Sequence, residues 1–101
     1  MSTLFDLSGK KAIITGSSKG IGKATAIRLA EHGAKVVITS RKIDACEEVA
    51  SEINKTYGAD TAIAIACNIS DKNQLEKLHN ESVTWCGDID TLICNAAINP
   101  Y

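Results

Sequence analysis

The sequence has no large excess of charge of either sign. Its 11 Lys and Arg residues face 12 Asp and Glu residues, which gives a formal net charge of −1 at pH 7. No run of like charges interrupts this balance. Proteins that bind nucleic acid or an anionic membrane surface carry a basic patch. We therefore expect neither nucleic acid nor a membrane among the partners of this chain.

Long hydrophobic runs and targeting signals are also absent. The longest apolar runs are far shorter than the roughly 20 residues that a membrane-spanning helix needs. The first residues, Met1–Asp6, lack a basic region followed by an apolar core, and Asn99–Tyr101 is not a known address tag. These features predict a cytoplasmic protein without a signal peptide.

The cysteines and histidines do not form a metal-binding pattern. No pair of cysteines has Cys-x-x-Cys spacing, and no histidine lies at metal-ligand spacing from a cysteine. We expect no metal site, and we interpret the cysteines as small, reduced, mostly buried residues. The two histidines fall late in predicted helices, where a surface position is favoured over a catalytic one. The residues concerned are Cys46, Cys67, Cys86, Cys94, His32 and His79.

A glycine-rich turn is the most informative feature of the 101 residues, which suffice for one domain with a modest core. The turn, Thr15–Gly22, follows an apolar run, Ala12–Ile14, and opens a helical pattern. Unpaired backbone N–H groups at the start of a helix, together with the positive end of its dipole, attract anions. Glycine allows a diphosphate to lie against the main chain. The candidate binding residues in this turn are Gly16, Ser18, Lys19, Gly20, Ile21 and Gly22.

The spacing of these glycines is Gly-x-x-x-Gly-x-Gly, which differs from the common Gly-x-Gly-x-x-Gly fingerprint. An ordinary strand–helix turn is therefore an alternative interpretation of the glycines alone. The strand before the turn and the helix after it favour a site for the diphosphate of a dinucleotide.

Strand and helix patterns alternate along the chain. The predicted strands are Lys11–Thr15, Lys35–Thr39, Thr61–Ala66 and Asp90–Cys94. The predicted helices are about Gly20–His32, about Lys42–Tyr57, and a third that Ser70 caps and Gly87 ends. Right-handed crossovers turn this order into a parallel, doubly wound α/β sheet with strand order 3-2-1-4. We expect ligand at the carboxyl ends of strands one and four.

Helical spacing predicts one buried face on each helix. The first helix would bury Ala26, Leu29 and Ala30 with Ile21 and either Ala24 or Thr25. The second would bury Cys46, Ile53 and Tyr57 with Val49 or Ala50, and the third would bury Leu75, Leu78, Ser82 and Trp85.

The glycine turn and the segment Asn95–Ala97 together resemble the short-chain dehydrogenase/reductase family, in the subclass that begins Thr-Gly-x-x-x-Gly-Ile-Gly. The resemblance runs from about Leu4 to Tyr101 and covers only the first part of that family's Rossmann-type domain. It implies hydride transfer between a nicotinamide dinucleotide and a small carbonyl or alcohol substrate. It also implies that the complete protein is a homo-oligomer, assembled through helices that this chain lacks.

The resemblance assigns cofactor contacts at the ends of strands three and four. Asn68 and Ile69 match the pair that meets the adenine, although Asn68 replaces the commoner Asp. Asn95 matches the residue that tethers the sheet near Thr15, and the backbone of Asn95 and Ala96 lies along the adenosine ribose. Ala97 stands where the family usually has glycine.

The end of the second strand bears on the choice of nicotinamide cofactor. NAD-binding proteins usually place Asp or Glu here to bind the ribose 2′-hydroxyl. This sequence has Ser40 followed by Arg41, and a hydroxyl with a guanidinium suits a phosphate. Lys19 adds a cation, and in the family basic residues at these two places accompany NADP(H). We predict NADP(H) as the preferred cofactor, with NAD(H) possible, unless Arg41 and Lys19 are merely solvated charges.

The family's catalytic Ser and Tyr-x-x-x-Lys lie several dozen residues beyond Tyr101. Neither Tyr57 nor Tyr101 is followed four residues later by lysine, so we assign no catalytic residue. We therefore interpret residues 1–101 as a partial dinucleotide-binding domain without its catalytic half. Two alternatives are a non-catalytic NADP(H)-binding module and a non-functional remnant whose fourth strand is an exposed edge.

Overall fold

The computed structural model describes residues 6–94, and these residues alternate between strands and helices as the sequence predicts. No predicted end differs from the observed one by more than one residue. The elements in chain order are β1 Lys11–Thr15, α1 Gly20–Glu31, β2 Lys35–Ser40, α2 Ile43–Tyr57, β3 Ala62–Ala66, α3 Lys72–Cys86 and β4 Thr91–Cys94.

The four strands form one parallel sheet in the order β3-β2-β1-β4, which confirms the predicted topology and fold class. β1 lies between β2 and β4, and its last residue, Thr15, is level with Thr39 of β2 and Cys94 of β4. Because the strands are parallel, their carboxyl ends share one edge of the sheet. The glycine turn that follows β1 therefore lies at the edge where doubly wound folds bind ligands.

Helices lie on both faces of the sheet, as the continuous apolar runs of β1 and β2 require. On one face, Ile14 and Ile38 pack in the core beneath α1 and α2. On the other face, Ile13 and Val37 pack with Leu78 of α3. Each fully buried valine or isoleucine side chain contributes about 1.5–3 kcal/mol to stability. Burial on both faces therefore fixes which residues of β1 face α1 and which face α3.

α1 lies against the sheet through small residues. Its buried positions are Gly22, Ala26 and Ala30, which recur at four-residue steps and allow a close approach. The prediction for Ile21 was wrong, because its side chain is 76% exposed. Ala24 is also exposed, whereas Leu29 packs against the core as predicted. The helical wheel predicts that apolar residues share one side of α1, but it does not show which side faces the sheet. In the structure, the side that carries Gly22 faces the sheet.

α2 and α3 bury most of the predicted positions. The core on the α2 side includes Cys46, Val49, Ala50 and Ile53. In α3, Leu78 and Ser82 are buried and Trp85 is half-buried. The outermost predicted positions were wrong, since Tyr57 is 38% exposed and Leu75 is 39% exposed. Tyr57 is the last residue of α2, and Leu75 lies in the first turn of α3, where it lines an open apolar groove beside β4.

The N-cap of α3 is Asp71 and not Ser70, which corrects the prediction. Asp71 Oδ1 accepts hydrogen bonds from the backbone N–H groups of Asn73 (2.9 Å) and Gln74 (3.3 Å). A carboxylate in this position satisfies orphan donors and also interacts favourably with the helix dipole. Ser70 instead donates its own N–H to Asn68 Oδ1. Serine and aspartate are both common capping residues, and here the charged residue caps the helix.

Asn54 connects the last turn of α2 to the start of β3. Its side-chain oxygen accepts hydrogen bonds from the N–H groups of Thr61 (2.9 Å) and Ala62 (2.8 Å). Its side-chain nitrogen donates to the Ala62 carbonyl at 2.9 Å. One side chain thus satisfies three backbone groups where the chain turns between the two elements.

Replacing Asn54 with alanine should lower the free energy of unfolding by about 1–3 kcal/mol, because three backbone groups lose their partner. Urea denaturation of the purified chain measures the difference. The matched control is Asn80→Ala on the exposed face of α3, which should change stability by no more than about 0.5 kcal/mol. Equal effects of the two substitutions would contradict a bridging role for Asn54.

Candidate functional site

The turn between β1 and α1 is shaped by two glycines with left-handed backbone angles. Gly16 has φ of 65° and Gly20 has φ of 62°, a region that favours glycine over other residues. A Cβ added at Gly20 would meet no atom of residues 6–94 within 4 Å. The main chain at this turn is therefore open on its outer side, where a ligand can approach it closely.

Within residues 6–94, no acidic side chain caps the N-terminus of α1. Its N-cap, Lys19, is extended and makes no side-chain cap, and the first turn carries no acidic residue. The first helical bond runs from Lys23 N–H to the Lys19 carbonyl at 3.3 Å. The N–H groups of the three preceding residues, Gly20 to Gly22, have no acceptor within the helix. This geometry suits an anionic group at the positive end of the helix dipole.

Ser17 ties this turn to the neighbouring strand. Its side chain is fully buried, and its hydroxyl donates to the Ile14 carbonyl at 2.6 Å while accepting the Thr39 N–H at 2.9 Å. Its own N–H donates to the Thr39 carbonyl at 3.2 Å. The sequence placed Ser17 in the turn but did not identify this role. A hydroxyl residue directly after the first glycine was the available signal.

Ser40 lies at the end of β2, and its hydroxyl already has local partners. It accepts the backbone N–H of Lys42 at 3.1 Å and lies 3.1 Å from the Cys46 sulfur. Burial raises the pKa of the Cys46 thiol, and the hydrogen bonds with Ser40 oppose that rise only in part. The contact between Ser40 and Cys46 had no signal in the sequence, because it joins the strand end to the next helix.

The two candidate phosphate-binding cations, Lys19 and Arg41, are both exposed. Lys19 follows Ser17 by two residues, and Arg41 follows Thr39 by two residues. Ser17 and Thr39 are hydrogen-bonded to each other. Within residues 6–94 neither belongs to an ion pair, whereas nearby Lys23 pairs with Glu52 at 3.6 Å. Both charges thus remain available to a ligand at this edge of the sheet.

A groove of about 680 Å³ lies between the start of α1 and the outer side of α2. Its charged lining mixes four acidic residues with two lysines, so it offers no net attraction to a phosphate. Neither Lys19 nor Arg41 lines it. The charged residues that line it are Lys23, Asp44, Glu47, Glu48, Glu52 and Lys55.

At the end of β3, Asn68 forms hydrogen bonds in the turn before α3. Its side-chain oxygen accepts the Ser70 N–H at 3.0 Å, which makes it a turn former before α3. Its backbone N–H donates to Gln74 Oε1 at 2.7 Å. The side-chain nitrogen of Asn68 has no partner in the described part of the chain and can donate to a ligand. Ile69 beside it is 38% exposed.

At the end of β1, the Thr15 hydroxyl donates to the Ile93 carbonyl of β4 at 3.3 Å. The predicted contacts of Asn95 and Ala96, and the substitution at Ala97, lie outside the described residues.

An apolar groove of about 660 Å³ lies on the α3 face of the sheet beside β4. Leu92 of β4, which lines this groove, is 60% exposed. Ile13 and Leu78 form part of its floor and wall. This groove is thus an uncovered section of the same core face that α3 partly shields.

No helix in residues 6–94 has both the length and the apolar character needed to cross a membrane. The range also holds no group of three or more His, Cys, Asp or Glu side chains that could bind a metal ion.

Comparison with known families gives a match to the short chain dehydrogenase model over residues 10–101. Among curated proteins, the chain is similar to glucose 1-dehydrogenase from Gluconobacter oxydans, with 42% identity over 88 residues. That alignment covers 87% of this chain and 33% of the relative. The chain therefore spans about a third of the length of this curated relative.

The chain also resembles solved structures of dehydrogenases. A short-chain type dehydrogenase/reductase from Mycobacterium marinum superposes with a TM-score of 0.88 and 43% identity, over 97% of this chain and 40% of that one. A hydroxysteroid dehydrogenase from Escherichia coli gives a TM-score of 0.84 and 38% identity, over 89% of this chain and 37% of that one.

The raised pKa of Cys46 leads to a prediction about alkaline stability. A thiol that ionises at higher pH in the folded chain stabilises the fold below the unfolded pKa, and this contribution is lost as pH rises. We expect the free energy of unfolding to fall above about pH 8.5, where unfolded cysteines ionise.

Urea denaturation from pH 7 to pH 10 tests this, with Cys46→Ser as the comparison. The variant should lose less stability over this range, since serine does not ionise there and the other titrating groups are shared. Equal pH slopes in the two proteins would show that Cys46 does not contribute.

Proposed function

Because the chain belongs to the short-chain dehydrogenase/reductase family, we propose that it is the cofactor-binding part of an NADP(H)-dependent oxidoreductase. The reaction is hydride transfer between the nicotinamide and a small carbonyl or alcohol substrate. The observation that carries this proposal is the uncapped N-terminus of α1, which opens behind a glycine turn at the carboxyl edge of the sheet.

The diphosphate of the dinucleotide binds at this corner in our proposal. Backbone N–H groups at Gly20, Ile21 and Gly22 point toward the ligand, while Gly16 and Ser18 shape the turn. The exposure of Ile21 supports this role, since a residue at the open end of α1 can lie beside the cofactor. The absence of any acidic residue from the first turn of α1 removes a competitor for these donors.

Selection of NADP(H) over NAD(H) rests on Arg41 and Lys19. A 2′-phosphate beside both cations gains charge-assisted hydrogen bonds, each contributing about 1.5–3 kcal/mol. Ser40 contributes chiefly by not being a carboxylate, because its hydroxyl already accepts from Lys42 and contacts Cys46. NAD(H) lacks the 2′-phosphate and so gains less from these two side chains.

The adenosine half of the cofactor extends toward the end of β3. The free side-chain nitrogen of Asn68 donates to the adenine edge, and exposed Ile69 covers one face of the ring. Asn95 and Ala96 complete this side by lining the ribose, a role that remains a prediction for residues beyond the described range.

Proton transfer to the substrate is assigned to groups outside this chain. Tyr57 ends α2 beside the amino ends of the strands, on the opposite edge from the cofactor, and residue 61 is threonine. Because the chain spans about a third of its curated relative, we propose that the catalytic half belongs to a longer, cytoplasmic, homo-oligomeric form.

A second candidate is a non-catalytic module that binds NADP(H) without reducing a substrate. It is favoured by the combination of an open anion corner with no tyrosine placed for proton transfer in residues 6–94. The two candidates differ in one assay. Only the enzyme, tested as a chain that continues beyond Tyr101, oxidises NADPH in the presence of carbonyl compounds. Failure of the purified chain to bind either dinucleotide would instead indicate a remnant.

Replacing Arg41 with alanine should weaken NADPH binding about 10- to 100-fold, the equivalent of losing one charge-assisted interaction. NADH binding should change little, because it lacks the phosphate that Arg41 contacts. Calorimetric titration of the purified chain with each cofactor measures both constants.

The matched control is Arg28→Ala in the last turn of α1, on an exposed position away from the corner. It should leave both affinities unchanged. Tighter binding of NADH than NADPH by the unmodified chain, or an equal loss of both in the Arg41 variant, would refute the assigned selectivity.

A further inference from the structure

The pairing of β1 with β2 continues past the end of β1. The last paired residues of the two strands are Thr15 and Thr39, and the chain then enters the glycine turn. Two residues later, Ser17 still contacts β2 through both its main chain and its side chain. The turn is therefore held against β2 by hydrogen bonds as well as by its connection to β1.

The buried hydroxyl of Ser17 bonds to both β1 and β2. Ser17 Oγ donates to the Ile14 carbonyl at 2.6 Å and accepts the Thr39 N–H at 2.9 Å. The Thr39 carbonyl in turn accepts the Ser17 N–H at 3.2 Å. Both backbone polar groups of Thr39 are thus bonded to Ser17, and no solvent reaches the side chain of either residue.

The proposed cofactor contacts lie immediately beyond this link. Lys19 and the start of α1 follow Ser17, and Arg41 follows Thr39. A dinucleotide with a 2′-phosphate has to reach the α1 corner and Arg41 at once, so its binding depends on the distance between them. A dinucleotide without that phosphate depends mainly on the α1 corner.

We propose that Ser17 is a positioning residue that fixes the glycine turn relative to the end of β2 and thereby sets the preference for the phosphorylated cofactor. This inference rests on the proposed function. Ser17 does not touch the ligand in this role. It holds the glycine turn and the end of β2 in a fixed relative position. Binding sites lose affinity when their groups are displaced by as little as about 1 Å.

The test is calorimetric titration of Ser17→Ala with NADPH and NADH. NADPH binding should weaken about tenfold or more, and NADH binding should weaken clearly less, so that the ratio of the two affinities falls. Ser17→Thr keeps the hydroxyl and should restore the ratio. If the alanine variant does not fold, Ser17→Cys keeps most of the volume with weaker hydrogen bonds and should lower the ratio in the same direction.

Ser82→Ala is the matched control, because Ser82 is also fully buried and donates its hydroxyl to a backbone carbonyl, that of Leu78, at 2.7 Å. Ser82 lies in α3, and its loss should lower stability without changing the affinity ratio. An unchanged ratio in Ser17→Ala, with NADPH preferred by the unmodified chain, would overturn the role of Ser17 alone. Failure of the unmodified chain to prefer NADPH would overturn the proposed selectivity and this inference together.

Discussion

The register between β1 and β2 is the constraint on which the rest of the structure depends. It sets Thr15 level with Thr39, so the glycine turn and the end of β2 reach the same edge of the sheet. It also places Ile13 and Ile14 on opposite faces, beneath α3 and α1 respectively. A shift of one residue would exchange these faces and expose apolar side chains to the wrong neighbours. Core packing and the geometry of the candidate site thus share one cause.

The three described helices all begin at the carboxyl edge of the sheet, but their N-termini differ in capping and charge. Asp71 caps α3 with its own carboxylate, and Asp44 lies in the first turn of α2. Only α1, among the helices that the structure describes, has neither a side-chain cap nor an acidic residue in its first turn. A helix end that is left unsatisfied carries a cost unless water or a ligand supplies the partner. This difference supports our proposal that the β1–α1 corner binds an anion.

Much of the fold could be predicted from the sequence, because alternation of apolar runs with glycine-terminated helices is a local signal. The element ends and the strand order followed from it. The exposure of Ile21 could not, since a helical wheel does not show where the sheet lies. Nor could the contacts of Ser17 with Thr39 and of Ser40 with Cys46, which join different elements and depend on packing. The position of the glycine turn at the carboxyl edge of the sheet could be predicted, whereas the hydrogen bonds that hold this turn depend on packing between elements.

The position of β1 also has a consequence for how the chain folds. β2 can pair with β1, and β3 with β2, soon after synthesis, because each of these strands pairs with the strand that precedes it in the chain. β4 completes the other side of β1 only after α3, and the Thr15–Ile93 hydrogen bond closes a sequence separation of 78 residues. Such distant contacts form late, because closing the loop costs conformational entropy before the paired strands stabilise each other. During that interval the backbone of the central strand is unpaired on one side and can be captured by another nascent chain.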